Sequence, residues 1–419
     1  MRRIALVVLA LIITACTPEP KPVAPSPSTP AASVKTAPPC NDDDDFGAHA
    51  SFALDRNELR ARGASAKLLE KLGRSPYVYF RALSRQYELR SCAAFRAERW
   101  HLPFVAIHAD PHLEQFTVTP TTAGLEDFDQ SGYGPAVIDL VRYSASIHLA
   151  CREMKWSCVP ERLVARHFQT YREALDRQPV RKLPSVTERL RKKTPSDPEP
   201  WLKWAEGLMQ PLSPEAEKHV LKGWAGFRRL EIEVHPERPA SFYDIVRVGA
   251  LQMGVGSALE TKLLFRLRGA SDAPKDDVVV EARSTVALSG KECAARPTGG
   301  ALQPLMFMSI LGPRLPDVFG FATLADDSSP EFWVQSWVAG YRELQISDIE
   351  SEGDMIELLE DAANQLAGHF WTKFPEPLRD VQRHAQLKAF DETSARARSL
   401  AAELAAETVK EWERFRAAL

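Results

Sequence analysis

Between Phe104 and Met154 the chain runs from a short apolar strand into a loop crowded with His and carboxylate residues, and then into a long apolar helix. This order constrains the fold more than any other stretch. Phe104-Val105-Ala106-Ile107 follows Pro103 and stops at His108, the pattern of a short buried strand. His108-Ala109-Asp110-Pro111-His112-Leu113-Glu114-Gln115-Phe116 comes next, then a turn around Pro120, and Gly124-Leu125-Glu126-Asp127-Phe128 reads as a second strand. After Gly132 and Gly134, residues Val137–Met154 have apolar side chains at helical spacing. Carboxylates placed just beyond short strands sit at strand ends, where side chains converge on a cleft. Such a placement suits hydroxyl activation and divalent cation binding.

The rest of the chain supplies the walls. Residues 46–100 carry helical spacing, as in Leu68, Leu69 and Leu72 followed by Tyr79, Phe80, Leu83 and Tyr87, and predict two or three helices. Further helices are expected over 160–178 and 199–222. Between 245 and 283 the pattern changes to β-rich runs separated by Gly and charged turns, as in an antiparallel meander. Gln303–Leu311 is apolar, short strands are expected near 319–324 and 332–338, and two long helices over 353–372 and 378–416. The expectation is an α+β fold with a helical lobe over 46–240, a small β-rich region over 241–340 and C-terminal helices over 341–419.

The N-terminus sets a compartment. Met1–Ala15 has two arginines followed by an apolar run of about ten residues, too short to span a bilayer and suited to a signal peptide. Ile13-Thr14-Ala15-Cys16 resembles a bacterial lipobox, which implies lipidation of Cys16, acyl chains included, and cleavage before it. Thr17 follows Cys16 in place of the Asp that resembles an inner-membrane retention signal, so in a Gram-negative envelope the expected location is the outer membrane, facing the periplasm or the exterior. Residues 16–45 then form a Pro-rich tether with too little apolar content to fold. It accounts for much of an excess of 31 Pro over 21 Gly. The run Asn41 to Asp45 reads as a solvated acidic spacer, lacking the Gly and distal Glu of an EF-hand loop.

With 53 Lys+Arg against 56 Asp+Glu the composition excludes a polybasic nucleic-acid binder, and loss of Arg2 and Arg3 makes the net charge of −3 two units more negative. Cys40, Cys92, Cys151, Cys158 and Cys293 remain outside the cytoplasm, an odd number, with Cys151 and Cys158 the favoured disulfide because they flank one short connection between helices.

The segments DPHLEQF, EDFDQSGYGP and IDLVRYSAS, with Ser75-Pro76-Tyr77-Val78-Tyr79-Phe80-Arg81-Ala82 before them, resemble the bacterial domain-of-unknown-function 2252 family. Their order also resembles the catalytic segment of aminoglycoside and choline phosphotransferases. The resemblance covers most of residues 65–375 and implies a protein-kinase-like bilobal fold, circularly permuted, because the nucleotide-lobe elements follow the catalytic segment. It implies Asp110 as the catalytic base and Asp127 as the principal Mg²⁺ ligand, with Asp129 and Gln115 beside it. Asp139 would brace the catalytic loop through backbone N–H groups, Arg142 would pair with it or with another acid, and His112 and Arg81 would be structural. Gly254, Gly256 and Ser257 match the nucleotide loop, with Leu259 where a third Gly is expected.

The chain also departs from the family. The phosphate-binding Lys falls on Val280, and the helix Glu that pairs with it falls on Phe307. Replacing both members of an ion pair is tolerable where losing one would strand a buried charge. An alignment slipped by one residue would instead give the phosphate work to Lys262 or Arg283. Extracytoplasmic ATP is scarce, which agrees with a lost donor clamp. The leading expectation is a catalytically degenerate, pseudokinase-like envelope lipoprotein that binds a metal, a small polar ligand or an envelope partner protein, with no nucleic acid. The alternatives are a Mg-dependent phosphotransferase acting on a hydroxyl acceptor, its nucleotide left open, and a metal-dependent hydrolase built from His108, Asp110, His112 and Asp127.

Overall fold

Among the described residues four short helices, not two or three, lead into the β1 region: α1 (Arg56–Ala61), α2 (Ala66–Leu72), α3 (Pro76–Phe80) and α4 (Ser84–Ala94). The breaks are local chemistry. Ser65 and Ser75 each accept a backbone N–H of the following turn through Oγ, and Pro76 occupies the first turn of α3. These positions belong to a computed structural model describing residues 50–419 apart from 62, 99–100, 195–196, 252–260, 286–293, 297–299, 314, 323–330 and 374–375. The chain divides into Met1–Asp45 and Phe46–Leu419. The signal segment, Cys16, Cys40 and the tether, the loop Gly254, Gly256 and Ser257, and Cys293 all lie outside the described residues.

Strands β1 (Phe104–Ile107), β2 (Phe116–Val118), β3 (Ala123–Leu125) and β4 (Gly132–Pro135) follow. β1 pairs antiparallel with β4, and β2 with β3. Helix α5 (Val137–Cys151) comes next and is buried on nearly every face, from Ile138 and Asp139 to Leu149 and Ala150. Its polar exceptions Asp139, Arg142, Ser144 and Ser146 are buried too, so the helix lies inside the core. It is packed between α4, α6 (Pro160–Asp176) and the C-terminal helix, and its end is tied to the following loop by the Cys151–Cys158 disulfide. Cys92 is disulfide-bonded too.

The expected helix 199–222 is two helices. After α7 (Ser185–Lys193), α8 (Pro198–Gly207) stops, Met209–Gln210 forms the edge strand β5, and α9 (Pro214–Val234) restarts behind a Ser213 cap with Pro214 in its first turn. β6 (Ile245–Leu251), β7 (Lys262–Leu267) and β8 (Val278–Ser284) form the expected meander. After α10 (Leu302–Leu311), β9 (Phe319–Ala322) and β10 (Phe332–Ser336) complete an antiparallel sheet of order β5-β6-β7-β8-β10-β9. β11 (Arg342–Glu343) joins β2, and α11 (Glu352–Lys373) and α12 (Glu376–Ala417) close the chain. At 1.5 Å per residue α12 is a rod of roughly 60 Å, laid against α5, α6 and α3. Among the described residues no helix is long and apolar enough to cross a membrane.

This is an α+β fold with separate cores. One gathers the helices α2 to α6, α11 and α12 around β1 to β3. Another joins one face of the six-stranded sheet to α9, with Trp224 stacked on Phe265 at 4.4 Å. Period-2 alternation assigns the faces. Leu263, Phe265, Val280 and Ala282 face α9, whereas Leu264 and Val279 pack with α8 residues Leu202 and Ala205 on the other face. Lys262, Glu281 and Arg283 share that second face. Its open part forms one wall of a cleft against the helical body.

Candidate functional site

The floor of the cleft is set by the first turn of α5. Asp139 Oδ2 accepts the His108 N–H and Oδ1 the Ala109 N–H, each at 2.8 Å, so one carboxylate holds the loop that leaves β1. Burial raises the Asp139 pKa to about 7, against the opposing pull of those two donors. Ala109 has a φ of +65°, a left-handed conformation that side chains with a Cβ seldom adopt. The turn it makes brings Asp110 to the cavity.

Asp110 is not a free carboxylate. Its Oδ1 accepts from Arg142 Nε at 2.8 Å, with Arg142 Nη2 at 2.7 Å. Arg142 has no solvent exposure, donates Nη2–H to Phe80 O at 3.1 Å, and lies 3.5 Å over the Phe80 ring and 4.7 Å from that of Tyr87. Burial pushes the Asp110 carboxyl up while the guanidinium pulls it down. Arg142 thus pairs with an acid other than Asp139, and Asp139 is left to the backbone.

Asp127 lies just beyond β3, at a φ of +70°. Arg283 from β8 crosses to it, with Nη1 2.7 Å from Asp127 Oδ1 and 3.9 Å from Asp129 Oδ2. Arg283 Nε donates to Glu281 Oε1 at 2.7 Å, and Glu281 Oε2 accepts from Trp337 Nε1 at 2.8 Å. Burial alone would raise the Asp127 pKa, but Arg283 and the neighbouring Lys262 hold it below the usual carboxylate range.

Arg81 pairs with the buried Glu114 at 2.8 Å, and Glu114 Oε1 also accepts the Ile346 N–H. His112 is buried edge-on against Tyr77 and Phe80, which holds it neutral. Gln115 lines the cavity, and its backbone carbonyl accepts the Glu126 N–H. The cavity measures about 450 Å³ and brings Arg81, Asp110, His112, Gln115, Asp127 and Asp129 together. Asp139 and Arg142 sit behind it.

Lys262, Glu281 and Arg283 line the same cavity, as do Lys71, Arg74, Trp204 and Trp337. Glu281 and Trp337 carried no functional reading in the sequence, and neither did the rim cations. The parity of β8 could have found Glu281, because positions 281 and 283 share a face. The same parity shows where the position aligned with the family's phosphate-binding Lys points. Val280 faces α9 in the apolar core, and Phe307 is buried against Tyr133 with ring centroids 5.0 Å apart. Neither position opens on the cleft, whereas Lys262 and Arg283 do.

The donor set does not fit a resident Mg²⁺. Such an ion takes one or two carboxylates with waters at 2.0–2.1 Å, and here the Arg283 guanidinium hydrogen-bonds Asp127 Oδ1 and places its positive charge 3.9 Å from Asp129 Oδ2. Among the described residues no three His, Cys, Asp or Glu side chains are grouped as metal ligands, the set His108, Asp110, His112 and Asp127 included. His108 is fully buried with Nε2 2.9 Å from Glu126 O, and burial lowers its pKa to about 4.

Residues 65–197 match the family described as "Uncharacterized protein conserved in bacteria (DUF2252)". That span holds the floor of the cleft, from Arg81 to Arg142, and ends before the sheet. Comparison with curated proteins and with solved structures gives no match.

Proposed function

We propose that this chain is a lipid-anchored envelope protein with a kinase-like, circularly permuted bilobal fold, whose cleft binds a small polar ligand without transferring a phosphoryl group. One observation carries the reading. Both carboxylates that phosphoryl transfer would use are tied to the protein's own arginines, Asp110 to Arg142 and Asp127 to Arg283, at 2.7 Å. Each guanidinium neutralises its carboxylate and takes up Oδ1, which weakens the group both as a base and as a metal ligand. Polar side chains on the floor and the Trp204 and Trp337 rings on the wall suit a ligand with polar groups and one flat or apolar face. The chain order, with the sheet after the floor segment, supports the permuted arrangement. The disulfides support an oxidising compartment, and the lipobox-like sequence supports the anchor.

The active phosphotransferase is the second reading, favoured by Lys262 and Arg283 on the cleft wall. A single experiment separates the two. The full chain is heated with and without Mg-ATP and assayed for phosphoryl transfer to small hydroxyl compounds. The binding reading expects no nucleotide-dependent rise in melting temperature and no turnover. A large rise that vanishes in Asp127→Ala, or turnover that does, overturns it.

A further inference from the structure

The loop after β3 sets Asp127 and Asp129 two residues apart, an arrangement whose ordinary partner in a cleft is a divalent cation. In this chain the positive charge comes from the sheet. Arg283 reaches Asp127, Asp129 and Glu281 at 2.7, 3.9 and 2.7 Å. A guanidinium is planar, remains charged at every relevant pH and presents five donors in a fixed fork, so one side chain can serve several carboxylates. It is also held in place. Arg283 is the register partner of Lys262 on β7 and of Trp333 on β10, and its guanidinium lies 5.2 Å from the Trp333 ring. Its side chain is 14% exposed, too enclosed to swing freely into water.

We infer that Arg283 is a built-in replacement for a divalent cation at Asp127 and Asp129, so that the cleft works without metal and hides a latent Mn²⁺ or Mg²⁺ site beneath the guanidinium. A metal ion must be recruited from solution and brings its waters with it. A tethered guanidinium is always present and leaves no open coordination position for a substrate oxygen. Because Asp127 belongs to the helical body and Arg283 to the sheet, the substitute also latches one to the other. The inference rests on the non-catalytic reading of the cleft and is tested by a different measurement, so either can fail alone.

The test is Mn²⁺ binding to the full chain, followed by loss of the free-ion electron paramagnetic resonance signal. The unaltered chain is expected to leave the signal unchanged at Mn²⁺ concentrations where Arg283→Met takes up about one ion per chain. The double variant Arg283→Met/Asp127→Asn is expected to lose that uptake. Should Arg283→Met fail to fold, Arg283→Gln, which keeps most of the length and one amide donor pair, gives the same comparison. Mn²⁺ uptake by the unaltered chain that disappears in Asp127→Asn overturns the inference. Absence of uptake in a folded Arg283 variant overturns it equally.

Discussion

Asp110 and Asp127 face one cavity and each is held by an arginine, but the two pairs belong to different kinds of structure. The Asp110–Arg142 pair lies within one core. Arg142 rises from α5, has no exposure, and lies against the contacting rings of Phe80 and Tyr87 from the preceding helices. The Asp127–Arg283 pair spans two cores, and both partners keep some exposure, 32% and 14% of their side chains. The same chemistry therefore does two jobs. Inside a core, an ion pair fixes a conformation, because breaking it strands a charge where water cannot reach. Across a cleft, where both partners keep some exposure, breaking a pair costs less because water can reach the charge left behind.

The contrast can be broken at several points. Arg142→Met should have the largest effect, about 3–5 kcal/mol of stability in denaturant unfolding, because Asp110 is left buried without compensation; a loss below about 1 kcal/mol would refute the core role. Acid comes next. Burial lowers His108 and His167 from 6.5 to about 4 and His112 well below its usual value. The unfolded chain then binds more protons, so stability is present above pH 6.5 and lost as pH falls toward 4. His167→Gln should flatten that loss by about 3 kcal/mol between pH 7 and 4, read from melting temperature against pH; an unchanged slope refutes it. For the cross-cleft pair, Asp127→Asn, which leaves Arg283 its Glu281 partner, should cost only about 2 kcal/mol, clearly less than Arg142→Met. Equal losses would erase the distinction between the regions. The outer surface sets the baseline: Asp391→Asn, which removes an exposed partner of Arg172, should change stability by about 0.5 kcal/mol or less.

Much of the helical body was legible in the sequence, because its signals are local. The strand at Phe104–Ile107, the helix from Val137 and the meander between 245 and 284 follow from apolar spacing and turn residues. The break within 199–222 was legible too, in Pro211 and the Ser213-Pro214 cap, but apolar periodicity on both sides of it hid the interruption. The cleft was harder. Sequence order placed Asp110, Asp127 and Asp139 near one another, yet which arginine meets which acid depends on contacts between residues far apart in the chain, such as Asp127 with Arg283. Val280, the position aligned with the family's phosphate-binding Lys, turns away from the cleft for a simpler reason. Aligning a strand by residue type ignores its parity, and a shift of one residue turns every side chain to the opposite face. Lys71 and Arg74 look like ordinary helix-end cations until the fold brings the sheet wall across from them.

The left-handed backbone at Ala109 and Asp127 carries a consequence for how this sequence can drift. Only Gly adopts that conformation freely, Asn and Asp tolerate it, and β-branched residues clash. In a saturation library, position 109 should retain Ala and Gly and shed Val, Ile and Thr, which its torsion angle and its small buried volume both exclude. Position 127 faces a double filter, since Gly and Asn satisfy the backbone but only Asp also answers Arg283. Two adjacent loops of one cavity thus screen incoming mutations by torsion angle before any ligand does so by affinity.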